Sequence, residues 1–138
     1  MTRMPDFIPD IPVGAQGHQQ ITVTPDVAIS FLGNDQARVL ATPWLIMFLE
    51  MTSRNTAKTY LLDGFDTVGT QVNVSHLAAT PLGMGAHFHA EILSVTGKRI
   101  LFKVEAFDDK DKIAEGTHER AIIQVSKFAE RVQAKARS

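Results

Sequence analysis

A chain of 138 residues, 44% apolar and 21% charged, has the size and balance of one soluble globular domain with a substantial core. Its formal net charge of -1 leaves no electrostatic footprint for nucleic acid or for an anionic membrane surface. The absence of cysteine excludes a disulfide framework, a thiolate metal site and a cysteine nucleophile, and is compatible with a reducing compartment.

Residues 1–17 carry Pro5, Pro9, Pro12, Gly14 and Gly17. They read as an irregular lead-in over the surface, without the apolar run of a signal peptide. The most apolar segment, Trp44 to Leu49, is far too short to span a bilayer. A cytoplasmic location follows as the expectation. Gln19 to Thr24, with Ile21 and Val23 on one face, predicts a first strand closed by Pro25. Residues 26–40 are broken by Gly33, Asn34 and Asp35 and read as a loop with a short helical turn, placed like a lid.

Thr42-Pro43 predicts a helix start, with threonine as N-cap and proline at the first helical position. The helix is expected to run from Pro43 to about Lys58. Its first two turns, Trp44 to Met51, are apolar nearly all round except for Glu50, which predicts enclosure by the rest of the protein. Its second half, with Ser53, Arg54, Asn55 and Lys58, is expected to emerge into solvent. Strands follow at Val68–Leu77, His87–Val95, Arg99–Phe107 and Lys112–Phe128, the last with a bulge. A polar tail, 129–138, is expected to fray. Phe88, Ala90 and Ile92 share one strand face, as do Ile100, Phe102, Val104 and Ala106. Short connections make the sheet antiparallel. The expected fold is α+β: a single domain over 1–138 in which a curved antiparallel sheet of about five strands wraps one central helix, the hotdog architecture. A single sheet of this kind leaves an edge and an outer face for dimerisation to cover.

Glu50 lies between Leu49 and Met51 in the most apolar part of the chain. A carboxylate there is either a general base or nucleophile in a dry pocket, or a group that faces solvent or an arginine where the helix emerges. His76 shares strand parity with Val72 and Val74. It is a candidate to polarise a substrate or shuttle a proton, or else a hydrogen-bonded core histidine. Thr42 is explained by capping, yet the first turn of an enclosed helix also offers free N–H groups to a developing oxyanion. His87 and His89 alternate with Phe88 and point outward; with no acidic or thiolate partner at suitable spacing, no metal site is expected. His118, Glu119 and Arg120 form a charged run inside a strand, read as a sheet face or dimer contact, or, for Arg120, as a ligand for carboxylate or phosphate. No serine elbow, phosphate loop or dinucleotide fingerprint is present.

Gly69-Thr70, the run Val74-Ser75-His76-Leu77-Ala78-Ala79-Thr80-Pro81, the run Gly116-Thr117-His118-Glu119-Arg120-Ala121-Ile122-Ile123, and Ala41-Thr42 followed by Met47-Phe48-Leu49-Glu50 resemble the fluoroacetyl-CoA thioesterase family over roughly residues 40 to 132. The resemblance implies a dimeric hotdog enzyme with no metal or organic cofactor and with active sites at the subunit interface. It places catalytic roles on Thr42, Glu50 and His76, and substrate contacts on Gly69 and Arg120. The family's namesake has a phenylalanine-rich lid before the helix. Here that stretch is Phe31-Leu32-Gly33-Asn34-Asp35-Gln36, with one aromatic residue, so a short or medium non-fluorinated acyl-CoA is the expected substrate. A hotdog enoyl-CoA hydratase or dehydratase, and a non-catalytic acyl-CoA or small-ligand binding module, are the competing readings. A cone-shaped steroid-isomerase fold ranks last because only one helix is convincing.

Overall fold

The computed structural model describes residues 10–31 and 33–138. Most of the lead-in expected over 1–17, together with Leu32 of the lid segment, lies outside the described residues. The elements in order are β1 (Gln16–Thr22), α1 (Thr42–Lys58), β2 (Phe65–His76), β3 (Gly85–Thr96), β4 (Arg99–Asp108), β5 (Lys112–Gln124) and α2 (Val125–Arg137), with two short 3-10 turns at Pro25–Val27 and Asp35–Ala37. The five strands form one antiparallel sheet in the order β1-β3-β4-β5-β2, and α1 packs across it. This is the arrangement that the element order anticipates.

Alternation explains the core. Phe88, Ala90 and Ile92 of β3, and Ile100, Phe102, Val104 and Ala106 of β4, are buried on the face that meets Leu45 and Leu49 of α1. Burial of side chains of this size stabilises by roughly 1.5–3 kcal/mol each.

Four expectations need correction. First, α1 is covered on one side only. Trp44, Met47 and Met51 lie one turn apart and are 40%, 47% and 40% exposed, because one sheet can cover only one face of a helix. Second, the far half of α1 stays against the sheet through Thr52, Ser53, Thr56 and Ala57, while Arg54, Asn55 and Lys58 face out. The inner hydroxyls remain satisfied in the dry contact by bonding back to the carbonyls of Phe48, Leu49 and Thr52 at 2.7, 2.8 and 2.7 Å. Third, Ala41, not Thr42, is the N-cap, and it makes no side-chain cap bond. Backbone bonds from Leu40 N to Thr80 O and from Ala41 N to Val27 O, both 2.9 Å, fix the entry to the helix instead. Fourth, β5 stops at Gln124 and the supposed tail is helical. Val125, Phe128, Ala129 and Val132 repeat at i, i+3, i+4 and i+7 among good helix formers.

The lid segment is a compact loop. Arg38 holds it by donating to the carbonyls of Pro25 and Ile29 at 2.7 and 3.3 Å. The bulge expected in the last strand is present at Ile113, where β5 advances from Lys112 to Ala114 against the single step Phe107 to Ala106 of β4, and a further register shift falls in β2, between Gly69 and Gln71, opposite Arg120 and Glu119.

β2 depends on a close approach at Gly116. A Cβ there would stand 2.0 Å from Asn73 O and 2.8 Å from Val74 Cα, and backbone cannot swing aside as a side chain can. Gly116→Ala is therefore expected to cost about 3 kcal/mol or more, by forcing β2 off β5. A melting temperature within about 2 °C of wild type would contradict this contact.

Candidate active site

α1 and β2 run side by side and carry most of the residues singled out by the sequence. At the N-terminal end of α1, Thr42 Oγ1 lies 2.7 Å from His76 Nδ1. Thr42 is free to make this bond because the cap position is taken by Ala41. The other ring nitrogen, His76 Nε2, is buried with no partner among the described residues. Burial holds the His76 pKa below its ordinary value, partly offset by a bond to the Ala78 backbone, so the ring is neutral at pH 7. A neutral imidazole with one nitrogen fixed by a hydroxyl and the other unpaired can accept or deliver a proton. Of the N–H groups at this helix start, that of Ala41 donates to Val27 O, Pro43 has none, and those of Trp44 and Leu45 both donate to Ala41 O, which leaves the Thr42 N–H beside the ring.

A second cluster forms two turns further along the helix. Arg120 is 5% exposed and points inward from β5. It donates to Thr67 Oγ1 at 2.7 Å, to Thr67 O at 2.9 Å and to Glu50 Oε2 at 3.4 Å. His118, 2% exposed, donates from Nδ1 to Gln71 O at 2.8 Å. Its Nε2 is therefore the acceptor facing Arg120 Nη1 at 3.2 Å. Burial first, and then Arg120, hold the His118 pKa below its ordinary value. Burial also lowers the Arg120 pKa, with Glu50 partly restoring it, yet a guanidinium stays charged. One desolvated cation thus anchors the Glu50 carboxylate against the strand. Gly69 leaves the space for it, since a Cβ at this position would lie 2.9 Å from Glu50 Oε2 and 3.3 Å from His118 Cε1.

Thr42 and His76 are thus brought together, and so are Glu50, Gly69 and Arg120. The two groups do not meet within one chain. Thr42 and Glu50 are separated by about 12 Å at 1.5 Å per helical residue. Gly69 and His76 are about 23 Å apart at 3.3 Å per strand residue. Arg120 is not a surface ligand for phosphate, because it is buried among Thr67, Glu50 and His118. Nor is His118 an outer-face residue. Its alternation with Arg120 and the buried Ile122 was the available signal, obscured by the charged run.

His89 Nδ1 meets His18 Nδ1 at 2.6 Å across the β1–β3 pair, and no group of three metal-ligating side chains converges among the described residues. Among those residues, no helix is long and apolar enough to cross a membrane.

Residues 23–126 match the family model described as fluoroacetyl-CoA-specific thioesterase. The chain belongs to that family. A fluoroacetyl-CoA thioesterase of Streptantibioticus cattleyicolor is 39% identical over 97 residues, 70% of each chain. A solved fluoroacetyl-CoA thioesterase superposes with a TM-score of 0.82 at 32% identity, covering 91% of this chain and 98% of the other. A thioesterase superfamily member from Thermus thermophilus gives 0.82 at 30% identity, covering 93% and 96%. A hot-dog-like protein from Thermanaerovibrio acidaminovorans, 22% identical, shares the fold with a TM-score of 0.81 over 90% of this chain and 92% of its own. The family's hotdog fold is the one described above.

Two outcomes follow from this geometry. Thr42→Ala is expected to cost less than the ~1 kcal/mol of a lost cap; a larger drop in melting temperature would restore a capping role. His76 and His118 have folded pKa values below the ordinary 6.5. The unfolded chain therefore takes up protons at higher pH than the native one. The stability concerned is fully present above pH 6.5 and is lost as pH falls below it. Melting temperature should fall between pH 6.5 and 5, less steeply in His118→Phe, and a flat profile over that window would contradict one buried and one partly buried neutral imidazole.

Proposed function

We propose that this chain is a thioesterase hydrolysing a short or medium acyl-CoA, or a related thioester, to the free acid and CoA. It acts as a cytoplasmic homodimer and needs no metal or organic cofactor. Each active site draws Thr42 and His76 from one protomer and Glu50, Gly69 and Arg120 from its partner. The observation that carries the reading is the Thr42–His76 pair at a helix N-terminus, 2.7 Å across, with the buried His76 Nε2 left without a partner among the described residues. Its natural complement, the Glu50 carboxylate, is out of reach in the same chain but not in a paired one.

Support for the dimer comes from β2. It is an edge strand, and Gly69 to Asn73 are exposed. An unpaired strand edge is a template for a second strand. Antiparallel pairing of two copies about a twofold axis near Val72 and Asn73 sets His76 opposite the partner's Gly69, and so beside the partner's Glu50. The uncovered Trp44, Met47 and Met51, with the 40% exposed Val72, supply apolar area for the same contact.

In this arrangement the thioester carbonyl lies against the Thr42 N–H and the Thr42 hydroxyl, which stabilise the oxyanion. The Glu50 carboxylate takes a proton from water as the oxygen attacks, or attacks directly and forms an anhydride that water then opens. Collapse of the tetrahedral intermediate expels the CoA thiolate, and His76 assists its protonation. Only Phe31 in the lid is aromatic, and it is 49% exposed, which supports a non-fluorinated acyl group.

Thiol release from a panel of acyl-CoAs, fluoroacetyl-CoA and acetyl-CoA included, tests the proposal. Glu50→Gln and His76→Ala are each expected to lower kcat/KM by about 100-fold or more. Full activity in both variants, or no thiol release from any member of the panel, would overturn it; binding without turnover would favour a binding module.

A further inference from the structure

The sheet face turned away from α1 carries a pair of side chains that the thioesterase reading does not use. His18 of β1 and His89 of β3 stand directly opposite each other in the register, and their Nδ1 atoms are 2.6 Å apart. The expectation of no metal site rested on local spacing, whereas this partner arrives from 71 residues away. The ring centres are 4.4 Å apart and the ring planes stand at 81°. That is closer than a straight N–H···N bridge between two imidazoles permits, so the contact is a bent and weakened hydrogen bond. Phe107 of β4 steadies the His89 ring edge-on, with centres 5.8 Å apart. The concavity beside His89 includes Glu91 and Glu105 against one cation, Lys103. Lys112 takes up part of the Glu105 charge at 3.3 Å, which leaves surroundings that do not repel a cation.

We propose that His18 and His89 chelate one divalent transition-metal ion through their two Nδ1 atoms, with water in the remaining positions. Imidazole is a ligand for copper, nickel and zinc. At a metal–nitrogen distance of about 2.0–2.1 Å, two cis ligands of a square-planar ion stand about 2.9 Å apart and two ligands of a tetrahedral ion about 3.3 Å apart. From 2.6 Å the pair must open by about 0.3 Å for the first and about 0.7 Å for the second. The geometry therefore favours Cu²⁺ and Ni²⁺ over Zn²⁺, and intrinsic affinity is highest for Cu²⁺. Two neighbouring strands carry the ligands, so the sheet holds them in place before the ion arrives. No third protein ligand converges among the described residues. His87 shares the outward face of β3, but it lies about 7 Å along the strand from His89, farther than a directly opposite residue. β1 is one edge of the sheet and β2 the other, four strand spacings or about 19 Å apart. The ion is thus a staple between the edge strand β1 and β3, remote from Thr42, His76 and Glu50, and independent of the thioesterase reading.

The test uses the full-length chain without a histidine tag, titrated by calorimetry with Cu²⁺, Ni²⁺ and Zn²⁺ at about pH 7.5, above the ordinary imidazole pKa. One ion per chain is expected, with Cu²⁺ bound most tightly and Zn²⁺ least. His18→Asn and His89→Asn are each expected to weaken Cu²⁺ about tenfold or more, and His87→Asn to change it by less than about twofold. With one equivalent of Cu²⁺, electron paramagnetic resonance should show two equatorial nitrogens in the wild-type protein and one in His18→Asn. The wild-type spectrum requires no variant to fold. Ni²⁺ should raise the melting temperature of the wild-type protein and leave that of His18→Asn unchanged, since only the folded sheet brings the two rings together. A single equatorial nitrogen in the wild-type spectrum, or Cu²⁺ affinity unaltered in both His18→Asn and His89→Asn, would overturn the chelate. Affinity lost in His87→Asn but kept in His18→Asn would overturn it equally, by placing the ion along β3 rather than across β1 and β3.

Discussion

Along one side β2 is hydrogen-bonded to β5, and along the other, among the described residues, to nothing. Gly116 allows it to approach β5 closely, and a register shift at Gly69 to Gln71 turns it at the point where Glu50 arrives. Because a strand advances about twice as far per residue as a helix, α1 and β2 cannot keep all of their polar residues in step. They meet usefully twice, once at Thr42–His76 and once at Glu50–Gly69. A bare edge between those two places is what a second copy can use to join one protomer's first group to the other's second.

Arg120 makes the second group possible. A guanidinium this buried is tolerable only because Thr67 supplies two acceptors, Glu50 a carboxylate and His118 a lone pair. The same bonds fix the His118 tautomer and hold Glu50 in a partly exposed position, where its side chain is 37% accessible. The apolar stripe on α1 and the exposed middle of β2 then carry one consequence: the half of the site that faces outward is the half that a partner covers.

The antiparallel sheet was legible wherever burial follows a strict period, as in Phe88 to Ile92 and Ile100 to Ala106. The helix was legible from Thr42-Pro43, with its cap placed one residue late, because backbone bonds at Leu40 and Ala41 did the work assigned to the hydroxyl. The Thr42–His76 contact spans 34 residues, and local pattern cannot report a meeting set by packing. His118 and Arg120 were legible as residues of interest but not as buried ones, since composition alone argues against burying charge and only the finished hydrogen-bond set reverses that argument. α2 was missed because its first residues extend the apolar alternation of β5, and polarity then masks the helical spacing of Phe128 and Val132.

The central claim is that one active site needs two chains, and subunit mixing tests it most directly. Homodimers of Glu50→Gln and of His76→Ala, each nearly inactive, would be unfolded together, refolded as a mixture and assayed for thiol release. If Thr42 and His76 work with the partner's Glu50, half of the randomly paired dimers are heterodimers. Each of these carries one intact site and one doubly damaged site, and activity returns to about a quarter of wild type. If the three residues act within one chain, every site in the mixture stays damaged. Activity no higher than that of the separate variants would then contradict the shared site.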